Sequence, residues 1–228
     1  SGNCTYVGTD TAHILIDAGL SGKKTREGVE SLDITLDDID GIFLTHEHSD
    51  HIKGLGIILR KHDIPVYGTP GTIEAIENTQ DLGEYDHSLL HTIEPDEKFI
   101  LKDINLRPVN IAHDAAQPVG YRIESEGRSF GMITDIGSYT DYTIENMRGV
   151  NCMMIEANHD VRMLETGRYP YPLKKRILSD HGHLSNEKAG DFLDTILNDQ
   201  IESLIIGHLS QENNLPELAY EAVRGEIE

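Results

Sequence analysis

Three histidines and an aspartate within six residues, His46-Glu47-His48-Ser49-Asp50-His51, carry the densest chemistry in this sequence. Imidazole nitrogens are borderline-soft donors and carboxylate oxygens are hard ones. Together they suit Zn, Mn or Fe, and so many donors suit two ions better than one. The stretch follows an apolar run, Gly41-Ile42-Phe43-Leu44, and precedes a glycine-rich turn, Lys53-Gly54-Leu55-Gly56. A strand therefore delivers the donors to a loop. Other donor candidates follow apolar runs in the same way. His113 comes after Pro108-Val109-Asn110-Ile111-Ala112, Asp135 after Met132-Ile133-Thr134, and His208 after Leu204-Ile205-Ile206-Gly207. Donors at strand ends sit on a rigid scaffold while the loops leave room for a substrate. Taken singly, each of these is more often a structural histidine or a cap. Taken with the six-residue cluster, they read as a metal centre.

The elements that must hold this centre alternate between β-rich runs and helical patterns, which makes the chain α/β. His13 to Ile16 reads as a strand ending at Asp17, and Ser21 as the cap of a helix to about Leu32. Ile42 to Leu44 is a strand, Leu55 to His62 a helix and Pro65-Val66-Tyr67 a strand. Thr69 and Pro70 open a helix to about Asn78. Residues 98–134 read as four consecutive strands, with Glu126-Gly127 as a hairpin turn. A helix over 139–147 and a strand at Cys152-Met153-Met154-Ile155 follow. Ser185 caps a helix to about Leu197, Ser203 to Ile206 reads as a buried strand, and 215–224 as a last helix. Two sheets face to face with helices outside satisfy that order.

A chain of 228 residues is long enough for one large core, and residues 1–228 are expected to form a single domain. It opens without Met and stops directly after its last helix, so a few residues at each end are expected to lie outside it. No apolar run approaches the roughly 18 residues of a membrane span. The two cysteines, Cys4 and Cys152, read as reduced thiols, and the protein as cytoplasmic. Asp and Glu number 40 against 19 Lys and Arg, a net charge of −21. That charge repels polyanions at a distance and counts against a nucleic-acid substrate. Bound divalent ions would add local positive charge, and high salt would screen the repulsion.

In order along the chain, Asp17, Thr45 to His51, His113, Asp135 and His208 resemble the metallo-β-lactamase superfamily. That resemblance implies an αββα sandwich with metals at one edge of the sheets. It implies His46, His48 and His113 on one ion, Asp50, His51 and His208 on the other, and Asp135 bridging them. Asp17 would orient ligands through hydrogen bonds. An Asp at 135, where common β-lactamases have Cys, points to the hydrolase branch. The interval from Asp135 to His208 is too short for the inserted domain of the β-CASP nucleases, and little chain remains for a glyoxalase II tail.

A second cluster narrows the group: Ile155-Glu156-Ala157-Asn158-His159-Asp160, Arg168-Tyr169-Pro170-Tyr171-Pro172, and Lys174 through Asn186 with Gly182-His183-Leu184-Ser185. With Ser1-Gly2-Asn3-Cys4, the segment 18–24 and His208 to Asn214, it resembles the YycJ/WalJ group of exonucleases. This implies a two-metal phosphodiesterase acting on DNA from 5′ to 3′, in repair or processing, with no obligate protein partner. Two divalent ions about 4 Å apart would lower the pKa of water between them for in-line attack on phosphorus. Asp50 counts among the catalytic residues as well as the ligands. By the same resemblance His183, paired with Glu156, would protonate the leaving group or clamp a phosphate. His181 is its rival. Ser185, Asn186 and the helix start they open would bind phosphate. Lys174, Lys175, Arg176 and Arg168, interleaved with Tyr169 and Tyr171, would track a strand and stack its bases. His159 either lines the site or bonds a backbone carbonyl. The alternatives are a small-molecule hydrolase of the same fold, a cyclic phosphodiesterase or glyoxalase II-like thioesterase, and a metal-binding scaffold.

Overall fold

The computed structural model describes residues 2–228, so Ser1 of the first motif lies outside the described residues. Its contacts divide the described residues into two compact units, 2–108 with 115–119, and 109–114 with 120–228.

The first unit is built on a mixed sheet. β1 (Thr5–Gly8) pairs antiparallel with β2 (His13–Ile16). α1 (Gly22–Glu30) follows β2, with Ser21 accepting from the Lys24 amide as its cap. β3 (Gly41–Phe43) then pairs parallel with β2. A one-turn helix, α2 (Ser49–Ile52), and α3 (Leu55–Leu59) come next. β4 (Val66–Gly68), α4 (Pro70–Asn78) and β5 (Leu90–Thr92) complete the sheet, in the order β1-β2-β3-β4-β5. β6 (Phe99–Leu101) and β7 (Ile104–Asn110) form an antiparallel pair. The core gathers Leu15, Ile42, Leu44, Leu55, Ile58 and Val66, all essentially without solvent contact. At about 25 cal/mol per Å² of apolar surface, such burial dominates the stability of the unit.

The second unit carries β8 (Val119–Ser125) and β9 (Arg128–Ile133), an antiparallel hairpin. Glu126 (φ 48°) and Gly127 (φ 77°) are both left-handed, the two-residue turn whose twist matches the strands. α5 (Asp141–Met147) leads to β10 (Cys152–Glu156), which pairs parallel with β9. α6 (Val161–Thr166), α7 (Tyr171–Ile177) and α8 (Asn186–Ile196) precede β11 (Ser203–Gly207), parallel to β10, and α9 (Pro216–Ile227). Through this unit the sheet runs in the order β11-β10-β9-β8. α8 buries Ala189, Phe192, Leu193 and Ile196, the i, i+3, i+4, i+7 stripe of a helix packed on one face.

These are the two mixed sheets and flanking helices of an α/β protein. Three strands differ from expectation: β1 and β5 are not among the expected strands, and β11 differs in its burial. β11 is not buried but lies at the end of its sheet order, with Ile205 45% exposed. Its apolar run of Leu204-Ile205-Ile206 reads as interior because a side chain at an open edge carries no sequence mark. Both cysteines are free thiols, and burial, helped by the charge of Asp17, pushes Cys4 up to about 12. Among the described residues, no helix is long and apolar enough to cross a membrane.

Candidate metal centre

Parallel strands end on the same side of a sheet, so the residues after β2 and β3 emerge together. The Asp17 amide donates to the Phe43 carbonyl at 2.8 Å, joining the two strand ends. Asp17 is fully buried. Its Oδ1 accepts from the Thr45 amide and its Oδ2 from the Thr45 hydroxyl and from His51 Nδ1, all at 2.8 Å. The Thr45 hydroxyl also lies 3.0 Å from His46 Nδ1 and accepts there. This network fixes two tautomers. With its proton on Nδ1, each of His46 and His51 carries a lone pair on Nε2, the form a metal requires. The His46 ring stands 4.6 Å from that of His48 and 4.0 Å from that of His51, centroid to centroid. Asp50, on the one-turn α2, brings Oδ2 to 3.8 Å from His51 Nε2. Thus one loop gathers His46, His48, Asp50 and His51, with Asp17 and Thr45 beneath it.

Asp17→Asn should therefore weaken metal binding by about 10- to 100-fold, the usual scale for a partner that orients a ligand. The asparagine NH₂ would oppose one of the donors and turn His51 into the wrong tautomer. Chelator-competition titration measures this, and an affinity within twofold of wild type would exclude the role.

The second unit repeats the arrangement with other residues. Asp135 follows β9, Glu156 ends β10 and His208 follows β11, three neighbouring parallel strands. Glu156 is fully buried. Its Oε2 accepts from His183 Nδ1 at 3.1 Å and His208 Nδ1 at 3.0 Å. Its Oε1 accepts from the amides of Ile136 and Leu184 at 2.8 and 3.0 Å. Burial alone would raise the pKa of this carboxyl. The imidazole hydrogen bonds and charges outweigh it and hold the group well below the usual carboxylate range. Burial likewise pulls His183 down, but the bond to Glu156 and the charges of Glu156 and Asp135 leave it raised. His113 donates Nδ1–H to the Gly182 carbonyl at 3.2 Å, and its Nε2 lies 3.8 Å from Asp135 Oδ1. Donor atoms of Asp135, His183 and His208 fall within 4.8 Å of one another. His46 and His51 in the first unit, and His113 and His208 in the second, are held by Nδ1 and offer Nε2, so the residues present fit divalent ions.

Asp17 (φ 64°), Asp135 (φ 57°) and His208 (φ 52°) share one further property: each is left-handed. Non-glycine residues pay for that conformation, and it turns the chain sharply where a strand ends.

Of the rival histidines, His183 is bonded to Glu156 and one-fifth exposed, whereas His181 points to solvent. His159 does not make the backbone-carbonyl bond that was one of its two expected roles. It is 1% exposed, and neither ring nitrogen has a hydrogen-bond partner among the described residues. Burial pushes it down to about 4, so it stays neutral at pH 7. Asn186 turns inward: it is fully buried and exchanges amide hydrogen bonds with Asn214. The Ser185 hydroxyl caps α8 by accepting from the Lys188 amide. The Asn186 backbone amide donates to the His159 carbonyl at 3.0 Å, so this donor and that of Lys188 are already taken at the helix start.

The basic cluster is also divided. Lys174 Nζ donates to the carbonyls of Glu165 and Gly167, both at 2.7 Å, tying α7 to the C-terminal end of α6. Arg176 forms a two-point ion pair with Asp114, the neighbour of His113. Arg168 and Lys175 remain exposed, beside Tyr171 at 77% exposure. Residues that sequence reasoning passed over as site members are Thr45, Asn3, Asn158 and Asn214. Asn158 donates to the His208 carbonyl at 3.1 Å, and Asn214 to that of Ala157 at 2.7 Å. They brace the loops after β10 and β11. Their presence in the quoted motifs was the available signal.

The model of a β-lactamase superfamily domain matches residues 12–208. The chain is 40% identical over 236 aligned residues to exodeoxyribonuclease YycJ of Bacillus anthracis, covering 100% of this chain and 86% of that one. It is also 40% identical to exodeoxyribonuclease WalJ of Streptococcus pneumoniae serotype 2, covering 96% and 82%. Among solved structures it superposes on the metallo-β-lactamase fold protein YhfI of Bacillus subtilis with a TM-score of 0.75 at 18% identity, covering 99% of this chain and 85% of that one.

Proposed function

Since the chain belongs to the β-lactamase superfamily, we propose that it is a metal-dependent exodeoxyribonuclease that degrades DNA from 5′ ends. The observation that carries this reading is the buried Glu156 carboxylate joined to both His183 and His208. It stands in a chain 40% identical along its length to exodeoxyribonucleases.

The proposed ligands are His46, His48 and His113 for one ion, Asp50, His51 and His208 for the other, and Asp135 for both. Two divalent ions of Mn, Zn or Fe, when bound, supply charge neutralisation on the phosphate and activation of water for in-line attack. The chain's own residues do the rest. Asp17 and Thr45 hold His46 and His51 in the required tautomer. Glu156 holds the Nδ1 proton of His183, so that Nε2 faces outward and carries the proton for the leaving oxygen. Glu156 is a positioning residue, since it is buried and acts through the two imidazoles. Lys175 and Arg168 supply charge along the strand being cut, and Tyr171 an exposed ring. Arg176 acts by holding Asp114. The work belongs in DNA repair or processing in the cytoplasm.

The test is digestion of end-labelled linear duplex with Mn²⁺, comparing 5′-phosphate with 5′-hydroxyl ends, and a closed circle as control. Loss that starts at 5′ ends and spares the circle is expected. Intact DNA across metals and salt, with hydrolysis of a small phosphodiester or thioester instead, would overturn the reading.

A further inference from the structure

One side chain outside the seven proposed ligands sits against two of them. The terminal amide nitrogen of Asn3 lies 2.8 Å from His51 Nε2 and 3.3 Å from Asp50 Oδ2. The backbone holds it there. The Asn3 amide donates to the Asp50 carbonyl, and the Asn3 carbonyl accepts from the Gly19 amide, both at 2.8 Å. Gly19 permits this closeness, since a Cβ there would lie 1.6 Å from the Asp50 carbonyl oxygen. Asn3 is thus pinned between the segment after Asp17 and the loop of histidines.

We propose that Asn3 is itself a metal ligand, through its amide oxygen, on the ion that Asp50 and His51 hold. The inference rests on the two-metal reading above. Its support is the spacing of the three donor groups. Ligands about 2.1 Å from one ion stand about 3 Å apart in neighbouring positions and at most about 4.2 Å apart in opposite ones. The amide terminus, His51 Nε2 and Asp50 Oδ2 are 2.8, 3.3 and 3.8 Å apart. An asparagine amide offers NH₂ on one side and oxygen on the other, and a half-turn about its last bond exchanges them. Facing two lone pairs, it presents NH₂. Facing the same two lone pairs with a cation among them, it presents oxygen. Asp17 keeps the proton of His51 on Nδ1 in either case.

The consequence concerns which metal is held. An added neutral oxygen raises the number of donors and hardens the set. Oxygen-rich sites with more than four ligands favour Mn²⁺ over Zn²⁺, which is content with four. Asn3 therefore shifts this ion towards manganese.

The experiment is calorimetric titration of metal-free protein with Mn²⁺, and separately with Zn²⁺, without DNA. Wild type, Asn3→Ala and Asn3→Asp are compared, with thermal melts of the metal-free forms as a folding check. The expected result is two Mn²⁺ sites in wild type, with one weakened at least about tenfold in Asn3→Ala and the other unchanged. Asn3→Asp, which keeps an oxygen, should restore it, and Zn²⁺ should change less than Mn²⁺. Mn²⁺ affinities within twofold of wild type in Asn3→Ala would overturn the assignment. So would equal losses in both variants, the pattern of a packing role. A wild type that binds fewer than two ions would instead overturn the two-metal reading, so the two failures are distinguishable.

Discussion

The double variant His48→Ala/Asp50→Ala should keep its fold and lose DNA hydrolysis by at least about 10³-fold, beyond the loss from removing one group that stabilises a transition state. Two proposed ions would each lose a ligand. The expected fold retention has a separate basis. The Asp50 side chain is 47% exposed and His48 is half-buried, its ring against that of His46. Surface substitutions of this kind change stability by about 0.5 kcal/mol or less, which in a domain of this size shifts Tm by about 2 °C. A melt of the metal-free protein measures that part. Added Mn²⁺ should raise the Tm of wild type by more than that of the variant, since only bound metal stabilises and each site has lost a ligand. A variant that still degrades DNA within tenfold of wild type would remove this loop from the mechanism.

Glu156→Ala should fail differently, in stability as well as in rate. The side chain satisfies two imidazoles and two amides with no solvent contact. Deleting one partner of a buried charged network costs about 3–5 kcal/mol, because what remains is left without a counterpart. At about 2–4 °C per kcal/mol the melting temperature of the metal-free protein should fall by roughly 10 °C. Activity should fall as well, since His183 and His208 lose the same support. Urea denaturation and initial rates at a temperature where the variant is folded separate the two effects. An unchanged urea midpoint would show that Glu156 is not the keystone its bonds describe. The contrast between the variants is informative in itself: one removes chemistry from an intact scaffold, the other removes part of the scaffold through which chemistry is aimed.

The sequence made the strand-end pattern legible because its physical rule is local. An apolar run followed by a donor, as at Phe43-Leu44-Thr45-His46 or Ile205-Ile206-Gly207-His208, reads directly as a strand delivering a ligand. Caps were equally plain: Ser21, Thr69 and Ser185 all cap the helices they announce. What depends on distant partners was not legible. Nothing local says that Asn186 faces Asn214, that Arg176 faces Asp114, or that His208 shares a carboxylate with His183. α6 and α7 went unread because each buries only one residue, Leu164 and Ile177, too few for a periodic stripe. α2 was read as loop because a single turn has no period.

The left-handed backbone at Asp17, Asp135 and His208 has an evolutionary meaning. Glycine adopts that conformation at no steric cost, but at Asp17 and His208 it would also remove the hydrogen bonds to Thr45, His51 and Glu156. The backbone ease of glycine and the bonds of the side chain pull there in opposite directions. A lineage freed from the need to act on a substrate would therefore still be held to Asp17 and His208 by its own folding, and the marks of the old chemistry would outlast the chemistry.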